Sequence, residues 1–164
     1  MPRLILLNGP PGCGKSTLAA RYARERPPSL NLDVDRVRDL IGGDVRQAGV
    51  LARDIAIAAA RTHLRAGYDV VVPQFLGRVE FILRLERLAE EVGARFVEIV
   101  LHDDKESALR RFAARGTVVA PEWELAAMHD LLTGLIAERR PAVVPSVDGD
   151  PDGTFAAVLA VVGD

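Results

Sequence analysis

Short apolar runs alternate along the chain with segments whose apolar positions recur every three or four residues. That alternation is the signature of a parallel sheet covered by helices on both faces. The run at 3–8 predicts a first strand, and 15–26 predicts a helix that Pro27-Pro28 stops. A short strand at 29–33 follows, then a brief helix at 36–41 with Asp35 in the N-cap position and Gly42-Gly43 at its end. Segment 44–66 carries Val50, Leu51, Ile55, Ala58, Ala59, Thr62 and Leu64 at mostly helical spacing, with Gly67 as C-cap. Residues 69–75 read as a buried strand that Pro73 closes. Val79, Ile82, Leu83, Leu88, Ala89 and Val92 form an amphipathic pattern ended by Gly93, and 95–101 reads as a fourth strand.

Asp103-Asp104-Lys105-Glu106 has the look of a capping box for a helix reaching Arg115. A connector at 116–121 leads to a helix over 122–140, which Pro141 ends. A fifth strand at 142–147 and a last helix with Phe155, Val158, Leu159 and Val162 on one face complete the chain. The expected architecture is α/β, a five-stranded parallel sheet with helices on both faces. It forms one domain over 1–164, with a helical lid around 110–125.

Composition narrows the class. At 164 residues, 49% apolar and 27% charged, the chain has the make-up of a soluble globular domain. A net charge of −2 argues against a nucleic-acid-coating protein, although a local basic groove is compatible with it. Cys13 is the one cysteine, so there is neither a disulfide framework nor a cysteine-based metal site. No apolar run approaches the length of a membrane span and no signal pattern opens the chain, so a cytoplasmic protein is expected. His63, His102 and His129 are scattered without metal-ligand spacing and are expected in loops or on helix surfaces.

Candidate chemistry centres on Gly9-Pro10-Pro11-Gly12-Cys13-Gly14-Lys15-Ser16-Thr17, between the first strand and the first helix. This is G-x-x-x-x-G-K-[ST] in the strand–loop–helix setting that the motif requires, and it predicts the P-loop NTPase fold. Glycines permit a curled backbone whose N–H groups converge on an anion, and the helix N-terminus adds positive potential. Lys15 can bridge the outer phosphates of ATP, Ser16 can hold Mg²⁺, and Thr17 can reach an inner phosphate.

Other residues decide what is done with that phosphate. Asp33 and Asp35 follow the second strand, spaced so that both can face the phosphate site. A hydroxyl attacking a γ-phosphate needs an acceptor for its proton; Asp35 is the candidate base, and Asp33 can order Mg²⁺ through water. Asp35 can equally be an N-cap, and the two roles are compatible. Arg110, Arg111 and Arg115 stand at a helix end before the expected lid, where planar guanidinium groups suit phosphate oxygens and stack on a purine. Arg110 and Arg111 are thus candidate ATP contacts, with Arg110 and Arg115 also placed to stabilise the transferred phosphoryl group; a basic helix end complementing the dipole is the plainer alternative. Arg38, Gln74 and Arg78 are candidate acceptor contacts, the last two at the carboxyl edge of the third strand. Many P-loop proteins place an Asp there to hold Mg²⁺, whereas this chain has Pro73-Gln74. Trp123 reads as a packing or lid residue, and Asp103, Asp104 and Glu106 read as caps.

With these residues in place the chain resembles the small P-loop kinases of the chloramphenicol phosphotransferase-like group. That group neighbours polynucleotide 5′-kinase, zeta-toxin-type kinases and gluconate- or shikimate-type kinases. The resemblance runs through Leu6-Leu7-Asn8-Gly9 into the P-loop, Leu32-Asp33-Val34-Asp35, Phe75-Leu76-Gly77, and the arginines around Arg110 and Arg115. It implies that Asp35 is the catalytic base and that the lid arginines contact ATP phosphates or adenine. The acidic residue absent at Pro73-Gln74 is a departure from the chloramphenicol enzymes. The expectation is an ATP- and Mg²⁺-dependent phosphotransferase acting on a hydroxyl of a small molecule, such as a sugar, nucleoside or antibiotic. Its alternatives are a nucleotide or polynucleotide 5′-kinase and a non-catalytic ATP-sensing module.

Overall fold

The computed structural model describes residues 1–114 and 121–163. Five strands form one parallel sheet in the order β2-β3-β1-β4-β5. They are β1 (Arg3–Asn8), β2 (Leu30–Asn31), β3 (Val70–Pro73), β4 (Arg95–His102) and β5 (Ala142–Pro145). The helices are α1 (Lys15–Glu25), α2 (Val34–Asp39), α3 (Val45–Arg65), α4 (Val79–Val92), α5 (Lys105–Ala114), α6 (Glu122–Arg139) and α7 (Pro151–Val162).

Alternation along β1 divides the core in two. Leu4 and Leu6 join Val70 and Val72 of β3 against α3 and α4. Ile5 and Leu7 face the other way, with Val71, Ile99, Leu101 and Val144, against α1 and α7. Successive strand residues point to opposite faces, so a stretch buried on both sides must be apolar throughout, as Leu4, Ile5, Leu6 and Leu7 of β1 are. β1 is the central strand: Leu7 is paired with Pro73 of β3 on one side and with Ile99 of β4 on the other. From β1 the chain passes to the edge strand β2, returns to place β3 between β2 and β1, and then crosses β1 to add β4 and β5 on the other side. The crevice at the carboxyl end of β1 is therefore the topological switch point, where ligands bind in such sheets.

Several local expectations are corrected. Asp33, not Asp35, is the N-cap of α2, accepting from the N–H groups of Asp35 and Arg36 at 3.0 and 3.4 Å. The helix begins two residues earlier than the apolar pattern suggests, so Asp35 lies in its first turn rather than in extended chain. β2 is an edge strand separated from β1 by β3, so its end is one strand away from the P-loop. In α3 the buried stripe is Ala48, Ala52, Ala56, Ala60 and Leu64, while Val50, Leu51 and Ile55 are exposed. Alanines four residues apart make a flat ridge that lets α3 approach its neighbours closely, a signal that the bulkier side chains masked. Trp123, which reads as a packing or lid residue, is 73% exposed, which removes the packing alternative.

The predicted cap at the start of α5 is made by Asp104. It accepts from the Ser107 N–H and hydroxyl at 2.9 and 2.7 Å, and these bonds hold its carboxyl below the usual carboxylate range. No helix among the described residues is long and apolar enough to cross a membrane.

Candidate active site

The loop between β1 and α1 is held open by glycine geometry and by one buried amide. Gly14 is the N-cap of α1 in the left-handed region, with φ 91°. At Gly9 a Cβ would stand 2.7 Å from the Leu101 carbonyl oxygen and 2.8 Å from Cys13 Sγ, so no side chain fits there. Lys15 Nζ donates to the carbonyls of Gly9 and Pro10 at 2.8 Å each and lies 3.8 Å from Cys13 Sγ. Its ammonium thus lies against the start of its own loop. The first turn of α1 holds no acidic residue, so nothing in it offsets the positive end of the helix dipole.

Asn8 ties this loop to the chain leaving β3. Fully buried, it donates through Nδ2 to the Leu76 carbonyl at 2.9 Å and accepts from the N–H groups of Leu76 and Gly9 at 2.9 and 2.8 Å. The Gln74 N–H donates to the Leu7 carbonyl at 3.1 Å, extending the pairing of β3 and β1 past Pro73.

A cleft of about 540 Å³ opens beside the loop. Gly12, Cys13, Gly14 and Thr17 form one wall, Ser107, Arg110 and Arg111 of α5 a second, and the 146–149 turn a third. Its volume lies within the span of about 300–1,000 Å³ typical of small-molecule sites. The two predicted arginines differ sharply. Arg110 is exposed and donates to Ser107 Oγ at 2.8 Å, with Glu106 3.7 Å away. Arg111 is 86% buried by side chain, paired with Asp103 and donating to Ser146 Oγ at 2.9 Å and to the Ser146 carbonyl. Arg115 lies outside the described residues.

A second cluster stands on the opposite side of the loop. Asp35 Oδ1 accepts from Gln74 Nε2 at 3.4 Å and pairs with an Arg38 nitrogen at 3.0 Å. Three candidates on two elements, α2 and the turn after β3, are therefore brought together. Arg78 is not in this group; it is exposed at the N-cap of α4. Asp33 turns one carboxylate oxygen into the α2 cap, and the other is 3.7 Å from Arg36 Nε. Among the described residues no group of three or more acidic, histidine or cysteine side chains can hold a metal ion. Ser16, exposed in the first turn of α1, offers a single hydroxyl. That donor set fits Mg²⁺ carried in by phosphates and waters, as this cation commonly binds, and not a protein-built cage.

Sequence reasoning overlooked Asn8, Ser146 and Asp103 as supports of the site. Asn8 and Ser146 are each the first polar residue at the end of an apolar strand run, which was the available signal. It also scattered His102 and His129, whose rings lie 5.1 Å apart at the end of β4 and on α6.

The AAA domain family profile matches residues 4–145. The chain belongs to that family. Over 134 residues it is 28% identical to the proteasome-associated ATPase of Sanguibacter keddieii, a match over 80% of this chain and 22% of that one. The chain spans less than a quarter of the length of the curated relatives it matches. Among solved structures it is similar to the Deinococcus radiodurans tunicamycin resistance protein, with TM-score 0.70, 19% identity, and coverage of 99% of this chain and 96% of that one. A Sinorhizobium meliloti gluconokinase gives TM-score 0.64 and 18% identity, over 96% of this chain and 91% of that one. The fold is shared with these neighbours, a gluconokinase among them. It is the P-loop NTPase fold that the loop and its strand–helix setting predicted, and it agrees with the resemblance to the small P-loop kinases.

Proposed function

We propose that this AAA-domain chain is an ATP-dependent phosphotransferase that moves the γ-phosphate of ATP to a hydroxyl of a small molecule. The observation that carries this reading is the pairing of two half-sites at one sheet edge. The loop 9–17 and the cleft lie on one side, and the Asp35–Arg38–Gln74 cluster on the other, bridged by the bond from Gln74 to Leu7. A sensor of ATP needs the first half; the second half is what an acceptor hydroxyl would require. The gluconokinase among the fold neighbours supports the same class of chemistry.

In this reading residues 1–164 act as one catalytic domain. The triphosphate lies along the loop, with Lys15 leaving the Gly9 and Pro10 carbonyls to meet the outer phosphate oxygens. The base and ribose occupy the cleft, flanked by Arg110, while Arg111 builds the wall. Mg²⁺ would be held by Ser16 together with phosphates and waters and would supply charge neutralisation at the phosphoryl oxygens, with Asp33 assigned to order one of those waters. The acceptor enters beside Asp35, oriented by Arg38 and Gln74, with Arg78 at the rim. Its oxygen attacks the γ-phosphorus as its proton passes to the Asp35 carboxylate. The bond from that phosphorus to the β–γ bridging oxygen breaks, ADP leaves, and Asp35 returns the proton to solvent.

A thermal-shift screen of sugars, nucleosides and antibiotics, with a non-hydrolysable ATP analogue and Mg²⁺, tests the proposal. An acceptor at 100 times its Kd adds about 2.7 kcal/mol of stability. Hits are then assayed for phosphate transfer. Asp35→Asn should abolish transfer with ATP affinity retained; unchanged turnover would overturn the base assignment. ATP hydrolysis that no acceptor stimulates, across the whole panel, would overturn the phosphotransferase reading in favour of a sensor.

A further inference from the structure

Ser146 is 5% exposed, lies just past β5, and has no place in the chemistry above. Its backbone N–H donates to the His102 carbonyl at 2.9 Å, which fixes it to the end of β4. Its hydroxyl donates to the Cys13 carbonyl at 3.0 Å and accepts from Arg111 Nη1 at 2.9 Å. A guanidinium has only donors, and a hydroxyl has one proton, so that proton is committed to Cys13.

We propose that Ser146 is a positioning residue for phosphate binding: it pins the Cys13 carbonyl outward and thereby aims the Gly14 N–H into the loop. The inference rests on the nucleotide reading of loop 9–17. A trans peptide holds its C=O and N–H antiparallel, so anchoring one end orients the other. The Cys13–Gly14 peptide is where the loop most needs an anchor. Gly14 has φ 91° and no Cβ, so rotation of this peptide meets little steric resistance. Without the Ser146 hydroxyl the Cys13 oxygen loses its partner, and a turned peptide would present a carbonyl to the incoming anion. The same hydroxyl seats Arg111, one residue from Arg110, so one side chain sets both the loop and the α5 wall of the cleft.

The test uses the full chain and two variants of matched shape, Ser146→Thr and Ser146→Val, which differ in the hydroxyl. Binding of ADP, inorganic tripolyphosphate and adenosine is measured by titration calorimetry, with melting temperatures alongside. The expected result is a roughly tenfold weaker Kd of the valine variant for ADP and tripolyphosphate, relative to the threonine variant, with adenosine affinity unchanged. Equal tripolyphosphate affinity in the two variants would overturn the inference. So would a loss that extends equally to adenosine, since that marks a general packing defect. A wild-type chain that binds neither ADP nor tripolyphosphate would overturn the nucleotide reading itself, and this inference with it.

Discussion

Asn8 and Leu76 hold one another by two hydrogen bonds of 2.9 Å, side-chain amide to backbone, across the carboxyl ends of β1 and β3. The same Asn8 oxygen takes the Gly9 N–H at 2.8 Å, so one buried amide satisfies three backbone groups at the mouth of the loop. Asn8→Ala would leave all three without partners in a site closed to water. An unsatisfied buried group costs about 1–3 kcal/mol, and the expected loss in denaturant unfolding is at least about 2 kcal/mol. Asn8→Asp keeps the oxygen but loses the donor to Leu76 and buries a charge, so it should be no better than alanine. A loss under 0.5 kcal/mol for either variant, on the order of a neutral surface change, would count against this role.

The sheet, its strand count and the loop were legible because their signals are local. Apolar runs bounded by Gly and Pro mark strands buried on both faces, and the loop motif needs only nearby residues. What escaped was everything set by distance in sequence. Arg111 reads as an ATP contact by type, but that Asp103 and Ser146 hold it in the cleft wall is not legible, since Ser146 is 35 residues away. Asp35, Arg38 and Gln74 were each singled out, but their convergence depends on β2 lying beside β3, which no spacing reveals. The α3 stripe escapes for a different reason: apolar spacing also runs through Val50, Leu51 and Ile55, whereas the face that packs closely is the alanine ridge ending in Leu64.

That stripe gives a stability test remote from the chemistry. Ala56 is 1% exposed and packs in the core that Leu4, Leu6 and Val72 share. Ala56→Leu adds three carbons where no space is left, and overpacking of this kind costs about 1–3 kcal/mol. Ile55→Leu, one residue away but 48% exposed, should change stability by less than about 0.5 kcal/mol. Equal effects in urea unfolding would contradict the assignment of the buried face.

Stability should also weaken on mild acidification. Burial, together with the His129 ring 5.1 Å away, holds His102 below its ordinary value of 6.5, against the opposing pull of Asp103 and Asp104. A histidine depressed in the folded state is protonated more readily when unfolded. Stability is therefore full above the unfolded value and declines as pH falls through about 6.5 toward the folded one. Melting temperatures from pH 8 down to 5.5 should fall, and His102→Gln should flatten that slope. A variant with the wild-type slope would show that another group is responsible.

The contact between Gln74 and Asp35 offers the most specific test of the acceptor side. Gln74 stands where a carboxylate is common in P-loop proteins, and its Nε2 lies 3.4 Å from Asp35 Oδ1. Gln74→Glu keeps the shape but sets two carboxylates side by side, and such a pair resists full ionisation. If Asp35 takes the acceptor proton, the acid limb of the transfer rate should move to higher pH in this variant. Gln74→Ala removes the contact without adding charge, so it should lower the rate while leaving that limb nearly in place. The comparison separates an electrostatic effect on the base from a loss of acceptor orientation. Identical profiles for the two variants would mean that Gln74 does not act through Asp35.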